Sequence, residues 1–151
     1  VVPFSTDQGG PILGWPKQQL FADKCHHGKE EGLYFPSLEK AGVQNKGGPI
    51  EQLLLEHEEG RKYIASMEDA IDSLSQADEF AKAAIDYIKL MRGHIDKENQ
   101  TVFLEGDRVL PANEQMRLLV AFEAFEEQVM GVGIHQSLHN MLDLFEEKYL
   151  A

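Results

Sequence analysis

One short pattern occurs twice in the sequence, as His26-His27-Gly28-Lys29-Glu30-Glu31 and again as His94-Ile95-Asp96-Lys97-Glu98. In each copy, a histidine precedes a glutamate by four residues. On an α-helix, side chains at this spacing lie on one face, about 5–6 Å apart at Cβ. The pattern therefore predicts two helices that each present an imidazole beside a carboxylate, and such pairs are typical of metal ligands.

Composition limits the classes of protein that fit. A chain of 151 residues suits one domain with its own core. The formal net charge of −12 argues against nucleic acid and anionic membrane surfaces as partners. The single cysteine, Cys25, excludes an internal disulfide, and no apolar run approaches the roughly 20 residues of a membrane helix. We expect a soluble cytoplasmic protein and a buried, inert Cys25 thiol.

Periodicity predicts an all-α fold. Residues 1–16 are rich in proline and glycine and read as an irregular N-terminal arm, whereas 17–151 read as one helical domain. No segment alternates as a strand does, so we expect an up-down bundle of the four-helix type, with C-terminal helices packing on it or completing it. The predicted helices run from about Lys17 to Phe35-Pro36, Pro49 to Leu74, Ala77 to Glu105, Asn113 to Val129, and His135 to Tyr149.

Polar residues occupy several positions of the apolar helix faces. His57 lies inside the apolar stripe of its helix, and His94 and Glu98 stand where the spacing requires core residues. Such groups cost stability in a core unless they are paired or bound to a metal. The candidate inward-facing metal ligands are His26, Glu30, His57, His94 and Glu98.

Nitrogen and oxygen donors without thiolate suit iron, manganese or zinc. Two carboxylates beside imidazoles suit a centre with two metals, because a carboxylate can bridge ions about 3.5–4 Å apart. The Glu-x-x-His pattern of ferritin-like sites is absent. The zinc-protease pattern also fails, because Arg61 stands where His57-Glu58 would require a second histidine.

Three ordered strings resemble the hemerythrin-like, HHE cation-binding family: residues 21–31, Glu56-His57 with Gly60-Arg61, and residues 94–98. The resemblance covers a motif core of about 21–110 and leaves a C-terminal helical pair at 113–150. It implies a bundle that holds two iron ions per complete site, with an oxo or hydroxo bridge and an open position for dioxygen or another small oxidant. By this resemblance the terminal ligands are His26, His57 and His94, and the bridging carboxylates are Glu30 and Glu98.

The chain departs from the family at one ligand. Family members usually begin with a further helix whose Glu-His dipeptide supplies a ligand, but residues 1–24 contain no histidine. Three explanations compete: a helix lost from the N-terminus, a replacement ligand from His135 or His139, and a helix lent by a second subunit of a homo-oligomer. We favour the first two. If none holds, the site binds one metal or none.

Other polar residues have plainer readings. His27 lies about 100° around the helix from His26 and is interpreted first as a residue beside the ligands or at the surface, and second as an additional metal ligand. His135 and His139 read first as a solvent-facing pair, and Glu56 with Glu58-Glu59 as a solvated helix face.

Three functions remain open from the sequence. The first is a binding module that captures or senses dioxygen, nitric oxide or iron. The second is a di-iron enzyme that reduces peroxide or a similar oxidant, which requires a proton donor such as Tyr34, Tyr63 or Tyr87. The third is a structural bundle with a degenerate site. Fold alone does not decide among them.

Overall fold

The computed structural model describes residues 20–71 and 77–149, and the expected arm at 1–16 lies outside them. Five helical stretches make up this part of the chain, and it contains no strand, which confirms the all-α prediction. We label them α1 (20–40), α2 (Pro49–Ile71), α3 (77–109), α4 (Ala112–Met130) and α5 (Ile134–Tyr149).

Two of these helices contain wider, π-helical turns. In α1 they span Leu20–His27 and Glu30–Tyr34 and precede the α-helical Phe35–Lys40. In α3 the α-helical Ala77–Lys97 is followed by a π-helical Glu98–Val102 and then by Phe103–Val109. Turns of this kind are rare and frequently mark functional sites. Both copies of the His/Glu pattern include such a turn.

The sequence predicted that the first helix ends at Phe35-Pro36, and this prediction is wrong. Helical structure continues to Lys40, with Pro36 in the first turn of the last α-helical segment. Proline is tolerated there because the N–H group it lacks would have had no partner in the first turn. The second helix is described as far as Ile71, and its predicted end at Leu74 lies among residues 72–76, outside the described part of the chain.

The chain divides into two compact units, Glu30–Leu118 and the described residues of Val1–Lys29 with Leu119–Ala151. In Glu30–Leu118, α2 and α3 pack together along most of their length. They are antiparallel, because His57 meets His94 while Gly60 lies beside Tyr87. A Cβ atom at Gly60 would lie 3.5 Å from the Tyr87 ring, which is an ordinary packing distance between the two helices.

The second unit has its own small core. Cys25 is fully buried with Met130, and Val129 and Ile134 pack against them. Burial raises the pKa of the Cys25 thiol, which agrees with the expected buried, unreactive cysteine. No described helix of the chain is both long and apolar enough to cross a lipid bilayer.

Candidate metal centre

Four side chains with metal-binding atoms are buried together inside the Glu30–Leu118 unit. They come from three helices: Glu30 from α1, His57 from α2, and His94 and Glu98 from α3. Their exposed fractions are 4%, 0%, 1% and 2%, respectively. The apolar spacing of α2 and α3 directs His57, His94 and Glu98 inward, as the sequence indicates.

The donor atoms of these side chains converge. His57 Nε2 lies 3.2 Å from His94 Nε2 and 3.3 Å from Glu30 Oε2. His94 Nε2 lies 3.0 Å from Glu98 Oε1. Ligand atoms of Glu30, His57 and His94 all fall within 4.8 Å of one another, as do those of Glu30 and Glu98. Two imidazole nitrogens and two carboxylates therefore face one small volume.

The far side of the His57 ring is held by a charged pair. His57 Nδ1 lies 2.8 Å from Glu31 Oε1, and Arg61 donates to the same oxygen at 2.6 Å. A carboxylate at Nδ1 favours the proton on that nitrogen and leaves the lone pair of Nε2 directed at the other donors. The Phe35 ring stacks on His57 with centroids 6.0 Å apart, which further fixes the imidazole plane.

His94 is held in the same way from the opposite wall. Its Nδ1 lies 3.1 Å from Glu56 Oε2. The other oxygen of Glu56 accepts hydrogen bonds from Gln52 Nε2, at 2.7 Å, and from Lys97 Nζ. Carboxylates that hold the second nitrogen of a ligating histidine are a regular feature of metal sites, because they orient the ring and raise its basicity.

Burial and neighbouring charges shift the pKa values of three of these groups. Burial, and then the neighbouring Glu98, raises the pKa of Glu30 from 4.5 to about 9. Burial also lowers the pKa of His57. Burial acts in the same direction on His94, but its hydrogen bonds to Glu98 and Glu56 outweigh it and raise the pKa of His94. A bound cation would act against the shift at Glu30, because it favours charged carboxylates.

The paired histidines of the first pattern belong to the other unit. His27 is 2% exposed and its Nδ1 lies 3.6 Å from Asp23 Oδ1, whereas His26 is exposed. The surface reading of His27 is therefore wrong, and so is the expectation that His26 faces inward. Adjacent residues differ by about 100° around a helix, so the spacing alone did not decide which of the two rings is buried. The side chains of His135 and His139 lie outside the described part of the chain, and their part in metal binding stays a prediction.

The residues that hold the rings were not identified from the sequence. The reading of Glu56 as part of a solvated acidic face is wrong, because Glu56 is 6% exposed. A usable signal existed, since Glu56 lies three residues after the buried Leu53 and four before the buried Gly60 on α2. For Glu31, Arg61 and Lys97 the signal is weaker, because their partners lie on other helices.

The fold and the cluster together define an all-helical protein with a buried histidine-carboxylate site of the metal-binding kind. Comparison with protein families gives the same answer: residues 18–104 match the family model "Hemerythrin HHE cation binding domain". The chain belongs to the hemerythrin HHE cation-binding family. Searches of curated proteins and of solved structures found no match.

Proposed function

We propose that this chain is a cytoplasmic non-haem di-iron protein that binds or senses dioxygen or another small oxidant. The observation that carries the proposal is the convergence of His57 Nε2 and His94 Nε2 with the carboxylates of Glu30 and Glu98. Family membership supports cation binding at this place, since the matched residues 18–104 include the whole cluster.

The donor set fits iron. Two imidazoles and two carboxylates without thiolate are the ligands that non-haem iron accepts. We assign His57 and His94 as terminal ligands and Glu30 and Glu98 as the carboxylates shared between two ions. His26 stays the predicted third terminal ligand, and His27 stays a candidate additional ligand. Bound iron would supply a redox couple and an open coordination position for a small oxidant.

The protein residues have separate tasks around such a centre. Glu31 and Glu56 keep the two Nε2 atoms directed inward, and Arg61 and Lys97 hold those carboxylates in place. A bound cation would favour the deprotonated form of Glu30, whose pKa burial and Glu98 raise to about 9.

Binding or sensing fits the surroundings better than peroxide reduction does. Reduction needs an acid within reach of the bound oxidant. Burial and nearby carboxylates raise the pKa of Tyr34 to about 12, and its hydroxyl donates to the Val102 carbonyl at 3.3 Å. Tyr34 is therefore a weak proton donor. Tyr63 lines a separate cavity with Ser66 and Lys82, and Tyr87 packs at the crossing with Gly60.

Anaerobic reconstitution with ferrous iron tests the proposal. We expect a new visible absorption band when dioxygen is admitted to the iron-loaded protein, and loss of the band when dioxygen is removed. The iron-free protein is the control. Steady consumption of added peroxide would favour the enzyme instead, and iron binding without any spectral response to dioxygen would favour iron sensing or storage.

A further inference from the structure

A cavity of about 370 Å³ lies inside the Glu30–Leu118 unit, where the start of α2 meets the π-helical turn of α3. Residues of both helices line it, among them Gln52 and Leu53 on one side and Lys97, Thr101 and Val102 on the other. Thr101 is exposed, so the cavity has an edge at the surface. None of these residues belongs to the proposed ligand set.

The inner wall of the cavity lies one helical turn from the metal cluster. Leu53 precedes His57 by four residues on α2, and Val102 follows Glu98 by four residues in the π-helical turn. Each side chain therefore lies on nearly the same helix face as a proposed ligand, at a rise of about 5–6 Å. Leu53 and Val102 are each 1% exposed, so they form the buried side of the cavity lining.

Two polar side chains that line the cavity already form hydrogen bonds. Gln52 and Lys97 both donate to the same oxygen of Glu56, so the lysine charge is compensated within the wall. The rest of the lining includes Pro49 and, at its buried side, Leu53 and Val102, so the surface left for an incoming molecule is mostly apolar. The chain also carries a net charge of −12, which disfavours the approach of anions. A small neutral, apolar molecule suits this cavity better than an anion does.

We propose that this cavity is the access route by which a neutral diatomic molecule of the dioxygen class reaches the metal centre, with Leu53 and Val102 as the gate. This inference rests on the proposed function, because it names the path and the charge class of the molecule that the centre meets. Apolar side chains at the gate admit a small neutral molecule at little cost, whereas an ion would have to lose its hydration there.

Dissolved dioxygen is itself a probe of the route in the metal-free protein. It is paramagnetic, so it broadens the methyl resonances of the groups that it visits. We expect several-fold stronger broadening at the Leu53 and Val102 methyls than at Leu38, which is fully buried in the same unit. The reference is the nitrogen-saturated sample. Equal broadening at these three residues would overturn the proposal, whatever the iron-loaded protein does.

A matched pair of variants tests the route in the iron-loaded protein. Thr101→Trp places a large ring at the cavity, whereas Gln100→Trp places the same ring on the neighbouring exposed residue outside its lining. We expect Thr101→Trp to slow the response to dioxygen several-fold and to leave iron content unchanged, with Gln100→Trp close to the parent. Equal rates in both variants would contradict the route. A parent protein that binds iron but shows no response to dioxygen would refute the proposed function instead. The methyl measurement in the metal-free protein would still test the route.

Discussion

Glu56→Gln is the most informative single change at the candidate site. One carboxylate oxygen of Glu56 accepts from His94 Nδ1 at 3.1 Å, and the other accepts from Gln52 and Lys97. Glutamine keeps the size of the side chain but replaces one oxygen with an NH2 group. Whichever way the amide is turned, one side of it places a donor against a donor. The His94 ring then loses either its partner or the groups that hold the partner.

The size of the effect follows from that geometry. Removing the carboxylate that holds a metal-binding histidine typically lowers metal affinity about 10- to 100-fold. We expect the loss of iron affinity in Glu56→Gln to fall within this range, because Glu56 is buried and water cannot take the place of its carboxylate. With about 1.4 kcal/mol for each factor of ten, the loss amounts to about 1.4–2.8 kcal/mol of binding free energy.

Competition with a coloured chelator measures this affinity under anaerobic conditions, with ferrous iron as the metal. Glu58→Gln is the matched control, because it removes the same charge from the same helix at an exposed position. Thermal unfolding of both metal-free variants separates a local effect from a loss of fold. If Glu56→Gln binds iron as tightly as Glu58→Gln and the parent protein do, Glu56 does not position His94 and the reasoning fails.

Three further changes probe other parts of the account. Because burial and Glu98 raise the pKa of Glu30 to about 9, a proton held there at neutral pH must leave when a metal binds. Calorimetry in buffers of different ionisation enthalpy should therefore detect proton release near pH 7, and less of it in Glu30→Gln. The same raised pKa stabilises the metal-free fold below the ordinary value of 4.5, and this contribution is lost as pH rises towards 9; the pH dependence of thermal unfolding should be flatter in Glu30→Gln, and an identical slope would exclude Glu30 as its source. Arg61→Met removes the cation that holds Glu31, but both side chains are about one-third exposed, so we expect a smaller loss of iron affinity than in Glu56→Gln, and a larger loss would contradict the burial argument. Gly106→Ala would bring a Cβ atom against the Tyr34 hydroxyl and should cost about 1–3 kcal/mol in denaturant unfolding, with part recovered in the Tyr34→Phe double variant; an equal loss in both backgrounds would mean that the hydroxyl is not the obstacle.

The helical class and the inward residues could be predicted because they depend on periodicity. His57, His94 and Glu98 stand at helix positions that apolar spacing assigns to the core, and a histidine at such a position needs a compensating partner. Family membership, and with it cation binding, followed from the order of the motifs. Whether these residues bind iron and whether dioxygen is the ligand stay proposals.

The partners of the ring nitrogens could not be predicted because they depend on contacts between helices. Glu31 reaches His57 across the gap between α1 and α2, and Lys97 of α3 reaches Glu56 of α2. Such pairings depend on how the helices are placed against each other, which single-helix patterns do not contain. The continuation of α1 beyond Pro36 was not predicted for a different reason. Proline is compatible with the first turn of a helical segment, and Pro36 lies in such a turn.

Iron content per chain tests the central claim most directly. Protein loaded with ferrous iron without oxygen, freed of excess metal and assayed for iron should contain about two ions per chain, as expected of a centre with two metals. His94→Ala should lose this iron, while Glu58→Gln should retain it. A parent protein that retains none, or a His94→Ala variant that retains as much as the parent, would contradict the assignment of this cluster as the metal centre.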